Sequence, residues 1–522
     1  MAYFLEQLYF HISISVVSEL KPSQLVITLA NTIRNIYMNE TSPIWEDKIY
    51  LGQWQTAEGP QAAVIGPATG EVLAKVQTAT PVDVGRAALI ANSAQQHWAT
   101  LPFDQKAEIL RRAAALLKER AEEINRWNIR ECGSTAAKAE WELQVTYEQA
   151  QMAAALPMQP NGQIFPSSMP GRRNYWKRVP IGTVGVIAPW NFPILLAMRS
   201  VFPALAMGNC VILKPAPMSA ICGGALMAEV LEAAGLPEGV FHVLPGGPEV
   251  GEALVQHSDV GMISFTGSTA VGEKIGETCG RMLKKCALEL GGNNAMVVLE
   301  DADLEAASSS AAWGAFLHQG QICMQAGRHL VHRSVADKYM NKLAERATRL
   351  VTGDPWKQQV HLGPLINETQ ARRVEEIVNR SVAMGANVVA GGKRDGNFFE
   401  ATVLSGVTPE MPAFGEEIFG PVAPITLFDS DEEAIALVNA SPYGLAAAIH
   451  SASTERAQRF AERIRVGMVH INDQTVNNEF QVPFGGMGRS GTSGRFGGPA
   501  NLDEFTTTQW VSVMEQGIQY PF

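Results

Sequence analysis

Three polar side chains stand in segments whose residue types fit the parts of a nucleophile, a base and an oxyanion donor. Cys323 lies in His318-Gln-Gly-Gln-Ile-Cys-Met-Gln-Ala-Gly327, where glycines flank a thiol close to an expected helix start. A helix N-terminus lowers a thiol's pKa and raises the thiolate share that a nucleophile needs. Glu289 lies in Leu288-Glu-Leu-Gly-Gly-Asn-Asn294, at the end of an apolar run. A carboxylate in apolar surroundings moves towards a neutral pKa and can take a proton from water. Asn191 lies in Pro189-Trp-Asn-Phe-Pro193, whose two prolines fix the backbone around it. A rigidly held amide stabilises an oxyanion by about 3 kcal/mol in a transition state. Two more segments suit a nucleotide. Lys214 follows an apolar run in Leu213-Lys-Pro-Ala-Pro217, and Gly267 and Ser268 open a helix in Phe265-Thr-Gly-Ser-Thr-Ala-Val-Gly272, where N–H groups can face a pyrophosphate. Read alone, each segment also has a plainer use. Most cysteines are inert packing, the use expected for Cys132, Cys210, Cys222, Cys279 and Cys286. A strand-end acid caps a helix or pairs with lysine, Asn beside Pro holds a turn, and many strand-to-helix turns are glycine-rich.

These residues need elements to position them. Thr80 and Pro81 make a helix start, and apolar spacings of three and four at Ala107, Leu110, Ala114 and Leu117 continue a helical layer over 80–154. From Val179 the pattern changes to short apolar runs separated by amphipathic stretches. The runs 183–188, 210–213, 240–244, 262–265 and 286–290 read as buried parallel strands. Such an alternation implies an α/β fold with a doubly wound sheet, which binds ligands at the carboxyl ends of its strands. A second α/β block starts near Ala295, with a strand over 295–299 and a helix from Asp303, and runs to about residue 475. Glu504 to Val513 is rich in β-formers outside both blocks and reads as an edge strand that could pair with another subunit.

With 522 residues, 46% hydrophobic and 18% charged, the chain is long enough for two large cores. Its formal charge of -11, with no Lys/Arg run of five or more, argues against a nucleic-acid surface. Six cysteines without a CxxC pair disfavour disulfides and zinc, so no metal is expected and a reducing cytoplasm is. Residues 1–37 carry neither a secretory signal nor a spanning run of about 20 apolar residues. They read as a non-native extension ahead of Met38, with a genuine docking arm as the other reading.

Taken together, the segments above, with Glu416-Glu-Ile-Phe-Gly-Pro421 and Pro483-Phe-Gly-Gly-Met-Gly-Arg-Ser-Gly491, resemble the aldehyde dehydrogenase superfamily from about residue 40 to 515. Cys323 and Glu289 lie 34 positions apart, as that family has them. The resemblance implies that Cys323 attacks the aldehyde, that Asn191 and the Cys323 N–H hold the oxyanion, and that Glu289 activates the water that releases a carboxylic acid. It also implies that Lys214 and Glu417 hold the two ribose rings of NAD, with Gly267, Ser268 and Gly272 at the pyrophosphate and Phe419 beside the nicotinamide ribose. Pro217 stands where many NAD-preferring members carry a glutamate, so NADP use stays open beside NAD. The fold implied is a cofactor domain (38–158 and 180–290), a catalytic domain (291–490) and a small β element for a homodimer or homotetramer (159–179 and 499–517).

Within the superfamily, Leu317-His-Gln-Gly-Gln-Ile-Cys-Met324 and Ala216-Pro-Met-Ser-Ala220 look most similar to benzaldehyde dehydrogenases and other aromatic-aldehyde enzymes. Leu196, Leu317, Ile322, Met324 and Phe484 fall at positions lining the family's substrate tunnel and suit a flat ring, although such residues suit most aldehyde tunnels. Arg199 matches the arginine of succinate-semialdehyde dehydrogenases. Their second arginine, six residues before the nucleophile, is replaced by Leu317, leaving one guanidinium without its companion. Arg199 also reads as a structural partner of an acid. A CoA-acylating enzyme and a binding protein on the same scaffold are the remaining alternatives; the presence of Glu289 argues against the first, and all three central residues against the second.

Overall fold

Thr80 starts the helical layer through a reciprocal cap: its hydroxyl accepts the Asp83 N–H, and the Asp83 carboxylate accepts the Thr80 N–H at 2.9 Å. In this computed structural model, which describes residues 43–522 apart from 493 and 495, four helices follow: Pro81–Thr100, Phe103–Glu119, Ala121–Cys132 and Ala136–Ala155. Gly133, at φ +67°, ends the third in the left-handed conformation that glycine adopts without a Cβ penalty. Both readings of residues 1–37 lie outside the described residues.

The first sheet places five parallel strands in the spatial order Lys285–Glu289, Val260–Thr266, Thr183–Ile187, Cys210–Lys214 and Phe241–Val243. The chain therefore winds outwards in one direction from Thr183 and then in the other from Val260. The switch point lies between Thr183–Ile187 and Val260–Thr266, where such sheets open a ligand crevice. All five expected strands are present, within two residues at either end. Two short strands not foreseen, Lys48–Leu51 and Trp54–Thr56, extend the sheet antiparallel beyond Phe241–Val243.

A second seven-stranded sheet runs Asn387–Ala390, Thr402–Ser405, Val422–Phe428, Arg328–His332, Ala295–Val298, Ala446–His450 and Met468–Ile471, parallel apart from its first strand. Apolar cores cover both of its faces, which is why its strands read as continuous apolar runs rather than alternating ones. A third sheet pairs Thr506–Met514, Arg172–Pro180 and Gly162–Phe165, all antiparallel. The last stretch of the chain is thus an edge strand, as its composition predicted. Asp47–Phe522 pack as one compact unit.

One crossing segment matters for the site. Gly491 bridges to Glu289, and Leu290 donates its N–H to Ser490 O at 2.9 Å. A Cβ on Gly491 would sit 2.5 Å from Leu288 O, so the glycine lets the Pro483–Gly491 motif lie against the Glu289 strand.

Candidate active site

The loop that carries Cys323 is strained and heavily tied. Helix Leu304–Phe316 gives way to His318, Gln319 and Gly320, all left-handed, at φ 49°, 57° and 68°. Each of the two non-glycine residues costs roughly 1–2 kcal/mol in that region. Side-chain amides hold the loop in place. Gln319 Nε2 donates to Gly133 O at 3.1 Å and Pro364 O at 2.9 Å, and Gln321 Oε1 accepts the Ile366 N–H at 2.9 Å. Asn294 Nδ2 donates to Cys323 O at 2.9 Å and to Gln325 O at 2.7 Å. At about 1 kcal/mol each, these bonds offset the strain. Asn294, inside the LELGGNN motif, was not foreseen as a site residue; its signal was a second Asn after the glycines.

The expected helix start at Cys323 is corrected here. The thiol stands in a turn between the 318–320 kink and strand Arg328–His332, with no helix behind it to lower its pKa. Burial pushes the thiol up to about 12; the Arg199 guanidinium pulls it down, and Glu289 and Glu417 push it further up. Cys286, expected to be inert packing, is only half-buried, and a hydrogen bond with the Cys279 thiol lowers its pKa to about 7.

Asn191 is buried in the loop after strand Thr183–Ile187, and its Nδ2 donates to Gln321 O at 3.0 Å. This bond ties the amide to the cysteine loop and leaves its second N–H for a ligand. The next helix, Pro193–Ala206, is capped from the helical layer: Glu142 Oε1 accepts the N–H groups of Ile194 at 2.9 Å and Leu195 at 3.1 Å. Glu142 is itself buried against Lys138 at 2.6 Å and Asn128 at 2.7 Å. Glu289 ends strand Lys285–Glu289 opposite Thr266, is 3% exposed, and is not part of the lining of the cavity at Cys323.

A cavity of about 350 Å³ opens at Cys323 and Asn191. All six expected substrate residues, Leu196, Arg199, Leu317, Ile322, Met324 and Phe484, line it. So do four aromatic or apolar side chains that sequence reasoning missed: Trp141, Phe192, Trp313 and Val476. Trp313 stands one helical turn before Leu317, a spacing that could have flagged it.

None of the expected nucleotide residues lines this cavity: Lys214 ends a strand of the first sheet, Gly267 and Ser268 follow another, Gly272 lies in helix Thr269–Arg281, and Glu417 and Phe419 precede strand Val422–Phe428. Lys214 closes strand Cys210–Lys214, and burial lowers its amine to about 8 against the charge of Glu249. Its Nζ has no hydrogen-bond or ion-pair partner among the described residues. Glu417 accepts the Gly292 N–H at 2.9 Å through Oε1, and burial raises its carboxyl to about 7. Its Oε2 occupies the space a Cβ on Gly291 would need, 2.3 Å away. Phe419, at φ +53°, sets its ring edge-on to Trp190 at 5.6 Å. Gly267 donates its N–H to Glu289 O at 3.0 Å, Ser268 opens helix Thr269–Arg281, and Gly272 packs against Leu290 where a Cβ would meet its side chain at 2.2 Å. Pro217 starts a short turn, Pro217–Ser219, three residues after Lys214.

A sequence profile described as the aldehyde dehydrogenase family matches residues 54–511. The benzaldehyde dehydrogenase [NAD(+)] of Pseudomonas putida is 57% identical over 487 residues, which is 93% of this chain and 100% of that protein. A vanillin dehydrogenase of an Amycolatopsis species is 51% identical, over 92% of this chain and 98% of its own length. Among solved structures, a salicylaldehyde dehydrogenase from Pseudomonas putida G7, complexed with salicylaldehyde, matches with a TM-score of 0.88 at 33% identity, covering 91% of this chain and 99% of that one.

Proposed function

Because the chain belongs to the aldehyde dehydrogenase family, we propose that it oxidises aromatic aldehydes, benzaldehyde and its ring-substituted relatives, to carboxylic acids with NAD. The observation that carries this reading is the shared cavity: Cys323 and Asn191 stand on a wall whose other members include Trp141, Phe192, Trp313, Leu317 and Phe484. A flat ring gains most from such a lining.

Cys323 Sγ, as its thiolate, adds to the carbonyl carbon, and the resulting oxyanion accepts hydrogen bonds from the free Asn191 N–H and the Cys323 backbone N–H. When bound across Lys214, Glu417 and the Ser268 helix start, NAD supplies the acceptor for the hydride that leaves the thiohemiacetal. The thioester that remains on Cys323 is opened by water, whose proton Glu289 takes. Lys214 and Glu417 bind the ribose hydroxyls, with Gly267, Ser268 and Gly272 at the pyrophosphate and Phe419 against the nicotinamide ribose. Pro217 cannot repel a 2′-phosphate, so NADP is used as well, more weakly. We assign 38–158 and 180–290 to the cofactor domain, 291–490 to the catalytic domain, and 159–179 with 499–517 to an oligomerisation element of a cytoplasmic homodimer or homotetramer. Among the described residues no helix is long and apolar enough to cross a membrane.

A panel of benzaldehyde, vanillin, hexanal and succinate semialdehyde, each with NAD and NADP, tests the reading by the growth of reduced-nicotinamide absorbance. The aromatic pair with NAD is expected to give the highest kcat/KM. A tenfold or greater preference for either aliphatic aldehyde contradicts it.

A further inference from the structure

Arg199 sits in the wall of the same cavity as Cys323, on helix Pro193–Ala206, and is 7% exposed. Its guanidinium carbon lies 5.1 Å from the ring centre of Phe484 and 4.6 Å from that of Phe496. Those two residues are bridged to each other through their backbones, Phe484 N–H to Phe496 O at 2.7 Å and the reverse at 3.0 Å, so the two rings are fixed. One nitrogen, Nη2, donates to Thr266 Oγ1 at 2.9 Å, and Thr266 is the register partner of Glu289. Among the described residues no carboxylate lies within 4.0 Å of the guanidinium. A buried cation without a close anion is costly to keep, and the groups that repay the cost by charge are Glu289 and Cys323.

We propose that Arg199 is a positioning residue, the fixed counter-charge that favours the thiolate of Cys323. This rests on the reading of Cys323 as nucleophile. The charged groups that bear on Cys323 are Arg199 from its helix, Glu289 from the strand end and Glu417 from the 416–421 segment, and Lys138 also lines the cavity. Glu289 and Glu417 oppose the thiolate, whereas the Arg199 guanidinium favours it. Arginine keeps its proton at any working pH, so this charge is constant while the carboxylates titrate.

The test follows alkylation of the aldehyde-free full-length chain by iodoacetamide from pH 6 to 10, with the modified cysteine located by peptide mass spectrometry. Mapping is needed because Cys286 is half-exposed and its thiol is lowered to about 7. In Arg199→Met the rate–pH curve for Cys323 moves up by at least about one unit, so the rate at fixed neutral pH falls about tenfold. Arg199→Lys, which keeps the charge, stays close to the parent curve. Arg199→Gln, which keeps a donor for Thr266, shifts with Arg199→Met and carries the test if the methionine variant fails to fold. A neutral variant whose Cys323 curve coincides with the parent's overturns the proposal. So does a variant that loses only its KM for succinate semialdehyde, which is the result of a carboxylate clamp. Label on Cys286 with Cys323 unmodified in the active parent overturns the nucleophile reading itself, a result distinct from the other two.

Discussion

Two buried ionisable side chains, one acid and one base, are shifted in opposite directions by the same burial. Glu417 is a carboxylate raised to about 7 by burial, and Lys214 an amine lowered to about 8 by the same cause. The ionised carboxylate accepts hydrogen bonds from ribose hydroxyls and the protonated one loses that capacity, so cofactor affinity must fall as pH drops through about 7. On the alkaline side, affinity falls as Lys214 gives up its proton near 8. Titration of NAD binding by intrinsic fluorescence from pH 5.5 to 9.5 should show both limbs, and Glu417→Gln should abolish the acid one. An acid limb that survives in that variant removes Glu417 from the ribose. At this scale the motifs made the site legible: the cavity wall holds every substrate residue that the resemblance supplied. The local setting of Cys323 was not legible. Glycines before an apolar stretch read as a helix start, whereas His318 and Gln319 take left-handed angles that neither residue type announces. Only tertiary ties from Gln319, Gln321 and Asn294 impose them.

At the scale of elements, the alternation of apolar runs and amphipathic stretches was enough to place all five parallel strands of the first sheet and the layer of helices beside it. Burial on both faces is what makes such strands readable. The short strands Lys48–Leu51 and Trp54–Thr56 were missed because three or four residues give no period to count. The buried Glu142 cap was equally hidden, since it joins residues over 50 positions apart on different elements. The small sheet leaves Gly162–Phe165 and Thr506–Met514 as two open edges, with Ile164 85% and Trp510 73% exposed. Open apolar edges of this kind are covered in working proteins. Ile164→Lys should therefore shift the particle mass measured by light scattering towards a smaller species, with the melting temperature of each subunit fold little changed. An unchanged mass removes this sheet from the assembly.

At the scale of the molecule, two α/β sheets and a crossing segment bring three distant stretches to one place. Residues 189–193 leave the switch point of the first sheet, residues 317–325 enter the second, and residues 484–491 return to the Glu289 strand. No single stretch contains the chemistry; it exists because Asn191 is tied to Gln321, Asn294 to Cys323 and Gly491 to Glu289. The apolar cavity is lined from all three stretches, by Asn191 and Phe192, by Leu317, Ile322 and Cys323, and by Phe484. On this mechanism Cys323 carries the acyl group and Glu289 brings in the water that removes it. The mechanism is tested most directly in Glu289→Gln mixed rapidly with benzaldehyde and NAD, followed by absorbance and by peptide mass spectrometry. The expected outcome is one reduced nicotinamide per active chain in a burst, a steady rate lower by at least about a hundredfold, and a benzoyl group on the peptide containing Cys323. A steady rate equal to the parent's, or an acyl group found on any other residue, would contradict it.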